Sequence, residues 1–184
     1  TSDQKLTPDE EADLQLIQNQ ISLALLELDS IRNYRHNPTL YVELIGTALY
    51  TPFVLEYTDK HTRYTHIIRR LAAVPGLLMQ ARRNLTSAPE IWTRVALEEN
   101  AGNIALIEGA LQANAPADVA PGYKQAAGTA VAALKDFNYF LREHLLRRTR
   151  DWRLGRDLYA QKFRYVLNAG QTPEQTLQDA FMQM

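Results

Sequence analysis

Zinc chemistry is the first possibility the residue types raise, since imidazole and carboxylate are common zinc donors and the chain has 4 His and 21 acidic residues. The spacing argues against a site built from one helix. His61 and His66 are separated by about 140° around a helix at about 3.6 residues per turn, so both cannot face one ion. His144 follows Glu143 with no second His a turn away. Neither H-E-x-x-H nor the Glu-x-x-His of di-iron bundles occurs. His144 falls at the edge of an apolar stripe and reads as a hydrogen-bonded structural histidine. Nucleophiles have no better setting. Ser2, Ser22, Ser30 and Ser87 lack a G-x-S-x-G context, and Ser87 reads as a helix cap. With 0 Cys, thiolate catalysis and Cys-ligated zinc are excluded.

Two features remain. Glu99 lies within the apolar face of a long helix, where an unpaired charge is expensive. The structural reading is a buried ion pair with Arg70 or Arg82, or with Arg69; the rival is a tuned catalytic carboxylate. Arg142, Arg147, Arg148, Arg150, Arg153 and Arg156 form a basic cluster. Cations favour the negative end of a helix, and Glu143 can pair with Arg147 at i,i+4. The sharper reading is a carboxylate clamp, because guanidinium binds carboxylates in a bidentate fork. The structural account carries more weight in both cases. RNA would also use Trp152 and Tyr159 beside arginines, but 20 basic against 21 acidic residues give no field favouring nucleic acid.

The elements that must position these residues are all helical. Thr7-Pro8-Asp9-Glu10 is a capping box, opening a helix whose Leu14, Ile17, Ile21, Ala24 or Leu25, Leu28 and Ile31 form one stripe expected to be buried. Asn37-Pro38 starts a second helix with Leu40, Tyr41, Leu44, Ile45, Ala48 and Leu49 inward, and Thr51-Pro52 breaks or kinks it. A third runs from Thr58-Asp59 to Val74-Pro75, with a short fourth after it through Leu78, Ala81 and Leu85. Ser87-Ala88-Pro89-Glu90 reads as another capping box. The helix after it puts Trp92, Val95, Ala96, Glu99, Gly102, Asn103, Leu106 and Ala110 on one face, and a close helix neighbour would offset the cost of Gly102.

Asn114 to Asp118 is the clearest linker. The helix that follows carries Tyr123, Ala127, Ala130, Leu134, Phe137, Leu141 and Leu145 at steps of three and four, the pattern of a core helix. Near Gly155 another begins, with Leu158, Tyr159, Phe163 and Val166 inward, ended by Asn168-Ala169-Gly170. Thr172-Pro173-Glu174-Gln175 caps the last. The expectation is an all-α antiparallel bundle of about seven to eight helices with Pro-marked corners, residues 1–184 forming a single domain. A chain this long can bury roughly 70% of its unfolded surface. No apolar run approaches the roughly 20 residues of a membrane span. The helical pattern running to Met184 leads us to expect a longer natural chain; the start without Met fits a processed protein, a trimmed one or an internal fragment.

An ordered set of segments points further: Arg70-Leu71-Ala72-Ala73-Val74-Pro75, Ala81-Arg82-Arg83-Asn84-Leu85, the Ala-rich helix ending Phe140-Leu141, Trp152-Arg153-Leu154-Gly155-Arg156-Asp157-Leu158-Tyr159, and Gly170-Gln171-Thr172-Pro173-Glu174. Their order and spacing resemble the N-terminal helical part of the bacterial domain-of-unknown-function family 885, over roughly residues 10 to 184. The resemblance implies a zinc-dependent peptidase whose metal motif, of the H-E-x-x-P-G-H-H type, lies on a helix further along the chain. It therefore implies no cofactor in this segment, zinc in the complete protein, a C-terminal catalytic half as partner, and a peptide substrate. Arg153, Gly155, Arg156 and Tyr159 are then the candidates at the cleft edge. Gly155 would allow close backbone approach, and the arginines would suit a peptide carboxylate. A bacterial, periplasmic or secreted setting is slightly favoured over the cytoplasm. The alternatives are a self-contained helical binding or scaffold module, dimeric through the heptad face, and, least favoured, a small helical enzyme using Glu99 and the arginines.

Overall fold

A computed structural model describes residues 6–168 and 170–183. Seven α-helices follow one another: α1 Pro8–Leu25, α2 Thr39–Val54, α3 Lys60–Asn84, α4 Glu90–Leu106, α5 Ala120–Phe140, α6 Arg156–Leu167 and α7 Pro173–Met182. Three continue into wider π-helical turns, α1 through Leu26–Ile31, α4 through Ile107–Leu111 and α5 through Leu141–Leu145. Ala169 and Met184 lie outside the described residues, so the end of α6 rests on Asn168, which adopts the left-handed conformation. The helices divide into two compact units, one from Tyr34–Trp152 and one from Thr1–Asn33 with Arg153–Met184.

The first of these units is a four-helix arrangement in which α3 packs on α2 and α5, and α4 on α2 and α5. Its core is the stripe read from α5. Tyr123, Ala127, Ala130, Leu134, Phe137, Leu141 and Leu145 are all buried. That stripe is consumed within the chain, so it is not available for dimerisation. Opposite it, α3 buries Tyr64, Ile67, Leu71, Val74, Leu78 and Ala81. Val74-Pro75 does not end α3, which runs on through Pro75 as one helix. The unbroken row Leu71, Val74, Leu78, Ala81 against α5 keeps the direction that proline's missing N–H would otherwise disturb. In α2, Pro52 lies in the last turn, and Leu40 and Leu44 point outward while Tyr41, Val42, Ile45 and Leu49 fill the core.

The buried face of α4 is rotated from the one apolar periodicity suggests. Thr93, Ala96, Asn100, Asn103, Ile107 and Leu111 are inside. Their polar groups are mostly satisfied there, as burial demands. Asn100 donates to Leu134 O at 2.9 Å and to Asn138 Oδ1 at 2.8 Å, and Asn103 donates to Val42 O at 2.8 Å. The π turn that follows leaves carbonyls that two core hydroxyls serve: Tyr123 donates to Ile107 O at 2.6 Å and Tyr64 to Leu111 O at 2.9 Å. Ser87 does not cap α4. Pro89 occupies the cap position with no side-chain bond, and Ser87 faces His36 instead.

Close helix approach occurs at a glycine, but not at Gly102. Gly102 is exposed, with nothing within 4 Å of an added Cβ. At Gly46 on α2 a Cβ would meet Asn103 Oδ1 at 2.8 Å, so the bare backbone of α2 is what admits the Asn103 amide.

The second unit is thinly packed. α1 and α6 touch through Asn19 Nδ2, which donates to Tyr165 O at 2.7 Å, and through a Lys162–Glu27 pair at 2.8 Å. Neither α1, α6 nor α7 has a buried residue. The stripe expected to be inside is therefore outside: Leu14, Ile17, Ile21, Leu25 and Leu28 are 41% to 58% exposed. Only Ile31, in the π turn, is buried as the pattern requires. On α6 likewise Tyr159 and Val166 are exposed, while Leu158 and Phe163 are half-buried.

These two glycines predict opposite outcomes. Gly46→Ala should lower stability by about 1–3 kcal/mol through overpacking, and adding Asn103→Ala should recover part of that loss. Gly102→Ala should raise stability by about 0.8–1.0 kcal/mol through helix propensity. Urea unfolding of the three variants measures both.

Candidate functional site

The four histidines come first because the family resemblance implies zinc. Each is occupied separately. His36 Nδ1 lies 3.1 Å from Ser87 O, His61 Nδ1 is 2.6 Å from Asp118 Oδ2, and His66 Nδ1 is 2.9 Å from the Tyr57 hydroxyl. His144 lies against the rings of Tyr139 and Phe140. Among the described residues no three His, Asp or Glu side chains come together in a way that could hold a metal. The donors among the described residues do not fit a zinc centre.

Glu99 is half-buried on α4, with Oε2 shielded from solvent and without a hydrogen-bond partner. Burial, and then the Glu43 carboxylate, raise its pKa above the ordinary 4.5. The ion pair with Arg70 or Arg82 is not formed. Arg70 donates instead to Ala48 O at 2.6 Å. Arg82 reaches Asp136 at 3.8 Å and sits over the Phe140 ring at 5.5 Å. These two arginines close the seams of α3 against α2 and α5, which leaves Glu99 with a like-charged neighbour. The buried arginine is Arg63, which the charge pattern gave no reason to single out. It is 8% exposed, and its Nη1 donates to Phe53 O at 2.9 Å and Pro52 O at 3.2 Å, covering the end of α2.

The basic cluster divides. Arg147 pairs with Glu143 at 2.8 Å as the i,i+4 spacing predicts. Arg148 and Arg150 engage through their backbones: Ala88 N–H donates to Arg148 O at 3.1 Å, and Arg150 N–H donates to Ala88 O at 3.3 Å. Ala88 is fully buried, so this short bridge pins the exit of α5 to the entry of α4.

Of the cleft-edge candidates, Arg156 and Tyr159 are brought together. They line an open groove of about 340 Å3 between α6 and α7 with Ala160, Pro173, Glu174 and Leu177. Gly155 sets up the wall from outside it. As the residue capping α6 it has φ 81 and ψ 164, a region open to glycine and strained for other residues. Arg153 precedes α6, is exposed, and is not part of the lining. On the opposite wall, Thr172 and Gln175 close a reciprocal capping box that fixes the first turn of α7. Glu174 then reaches Arg156 Nη2 at 3.1 Å. Its pKa is lowered by its own backbone N–H and by Arg156. Thr172-Pro173-Glu174-Gln175 reads as a helix start; the i+2 and i+5 places after the cap Thr172 are what put Glu174 and Leu177 on the groove. Tyr159 is half open to solvent, its ring 6.0 Å from that of Phe163.

An all-α protein with an aromatic and guanidinium-lined groove, and no metal set of its own among the described residues, is the class these observations define. The chain belongs to the family described as bacterial protein of unknown function (DUF885), whose match spans residues 1–184. A comparison with curated proteins finds no match. Among solved structures the chain is similar to one from Shewanella oneidensis described as "a putative lipoprotein of unknown function", with TM-score 0.78 and 19% identity. The similarity covers 100% of this chain and 35% of that one, so the chain spans about a third of the length of the structure it matches. At this identity the match shows a shared fold.

Two predictions follow from the geometry. Gly155→Ala should cost about 1–3 kcal/mol of backbone strain, read as faster amide exchange in the first turn of α6. For Glu99, a raised folded pKa means the ionised form is disfavoured in the native state. That penalty is absent below the ordinary value of 4.5 and grows as pH rises through the folded value. Glu99→Gln should therefore raise the melting temperature at pH 7 and leave it unchanged in acid below that value.

Proposed function

We propose that this chain is the non-catalytic helical portion of a DUF885-type zinc peptidase, lending the α6–α7 groove as one wall of a peptide cleft. The observation that carries the reading is the convergence of Arg156 and Tyr159 on one open groove. Their order in the sequence also bears the family resemblance. The Arg156 side chain is 83% exposed and meets Glu174 through a single nitrogen, so it can turn a second donor to a peptide carboxylate. Tyr159 and Leu177 offer apolar surface beside it for the neighbouring side chain. The metal ligands and general base belong to the portion outside this chain, since its own histidines are separated and individually engaged. Zinc, when bound there, would supply the activated water of hydrolysis; the residues here bind and orient. The description of the Shewanella structure as a putative lipoprotein supports placement outside the cytoplasm.

A self-contained binding module fits less well. Such a module would close its apolar surface, whereas α1 leaves a whole stripe open.

The test uses the complete DUF885 polypeptide. Arg156→Ala and Tyr159→Ala should each raise KM for a peptide with a free carboxylate by about tenfold, the worth of one charge-assisted contact or aromatic platform. Zinc content and melting temperature should stay as in the wild type. Peptide hydrolysis by this chain alone, or one tightly bound zinc per chain, would overturn the proposal.

A further inference from the structure

An apolar face is left open on α1. Leu14, Ile17, Ile21, Leu25 and Leu28 recur at steps of three, four, four and three, which places them along one face of the helix. All five are exposed, Leu14 by 41%, Ile17 by 57%, Ile21 by 53%, Leu25 by 53% and Leu28 by 58%. Scattered exposed leucines are ordinary, but a contiguous apolar strip on one helix marks an interaction surface. Period-3.6 spacing is matched by another helix packing ridge into groove.

Charge then narrows the partner. α1 begins with Asp9, Glu10, Glu11 and Asp13 and holds no Lys or Arg. Helices that lie on anionic membranes carry Lys and Arg on the polar face, so this helix is the wrong sign for a lipid surface. Pairing with α1 of a second copy would set one acidic helix against another. In the antiparallel orientation the acidic first turn of each copy would meet Asp29 of the other, while Glu27 is already paired with Lys162 at 2.8 Å. The surface instead fits a helix that offers apolar residues along its centre and Lys or Arg at its edges. The solved structure of the same fold carries it in 35% of a longer chain, so that protein has further polypeptide beyond the matched part.

We infer that the α1 stripe is a docking seam for one amphipathic, basic-flanked helix contributed by the DUF885 polypeptide outside this chain. The inference rests on the reading of this chain as one portion of a longer protein, and it adds which face is covered and by what chemistry.

Hydrogen exchange on the complete polypeptide tests it, comparing the wild type with Ile17→Gln/Ile21→Gln and with Leu44→Gln as a control. Glutamine keeps helix propensity, and these side chains are exposed within the chain itself, so the variants should fold. Leu44 is 54% exposed on α2, in the other compact unit. In the double variant, amides of one helix outside this chain, and those of residues 14–28, should lose protection together by about tenfold or more. The control should not change them. No coupled loss outside this chain would overturn the inference. So would a dimer in light scattering that the double variant converts to monomer, or vesicle binding to phosphatidylcholine and phosphatidylglycerol that it abolishes. Peptidase activity of the wild type, assayed alongside, separates the two readings. Coupled protection without hydrolysis sinks the peptidase proposal alone, and hydrolysis without coupled protection sinks the seam alone.

Discussion

The larger unit depends on burying one stripe of α5. Nine residues from Tyr123 to Leu145 are inside, and complete burial of a large apolar side chain contributes about 1.5–3 kcal/mol. The small residues Ala127 and Ala130 let neighbours approach early in the helix, and Leu134, Phe137, Leu141 and Leu145 fill a deeper core towards its end. Because α3 packs on this stripe along most of its length, it runs straight through Pro75. The energetic loss from one missing N–H is local, and the packing that would be lost by bending spans several turns.

Polar groups then fix where α4 sits. An apolar stripe alone would let a helix slide or rotate. Asn100 and Asn103, buried and bonded to Leu134 O and Val42 O, each have a partner in only one register. The same logic explains the tyrosine hydroxyls on Ile107 O and Leu111 O. A π turn widens the helix and disturbs the ladder, and its carbonyls need donors. Two core tyrosines supply them, with burial raising both of their pKa values.

Much of this was legible in the residues and some was not, for physical reasons. The α5 stripe could be read because its core positions are all apolar or aromatic. The face of α4 could be read only in part: Ala96 and Asn103 lie on the expected face, but the inward Thr93 and Asn100 are positions that periodicity scores as surface. Gly46 was passed over while Gly102 drew notice, since a sequence shows that a glycine is present but not what lies opposite it. Charge pattern put Arg70 and Arg82 with Glu99 on the premise that a carboxylate on an apolar face needs a cation; the nearest backbone carbonyl and Asp136 were better placed. At the groove, Arg156 and Tyr159 enter through the family resemblance and not through any spacing of their own, and Glu174 reads as part of a capping box.

The misread stripe on α1 is of another kind. Its periodicity is correct for a buried helix, and local propensity, capping and spacing all agree with one another there. Agreement across those levels is what a foldable sequence shows. The conflict arises only in tertiary structure, where no partner face meets it. A sequence error would scatter polar and apolar residues at random; a helix prepared for burial and left open is one term short of a contact. The groove that holds Arg156 and Tyr159 belongs to the same thinly packed unit, where among the described residues Leu26 and Ile31 alone are buried. Few buried contacts mean low local stability, so whatever covers α1 would also firm the helices that carry the groove.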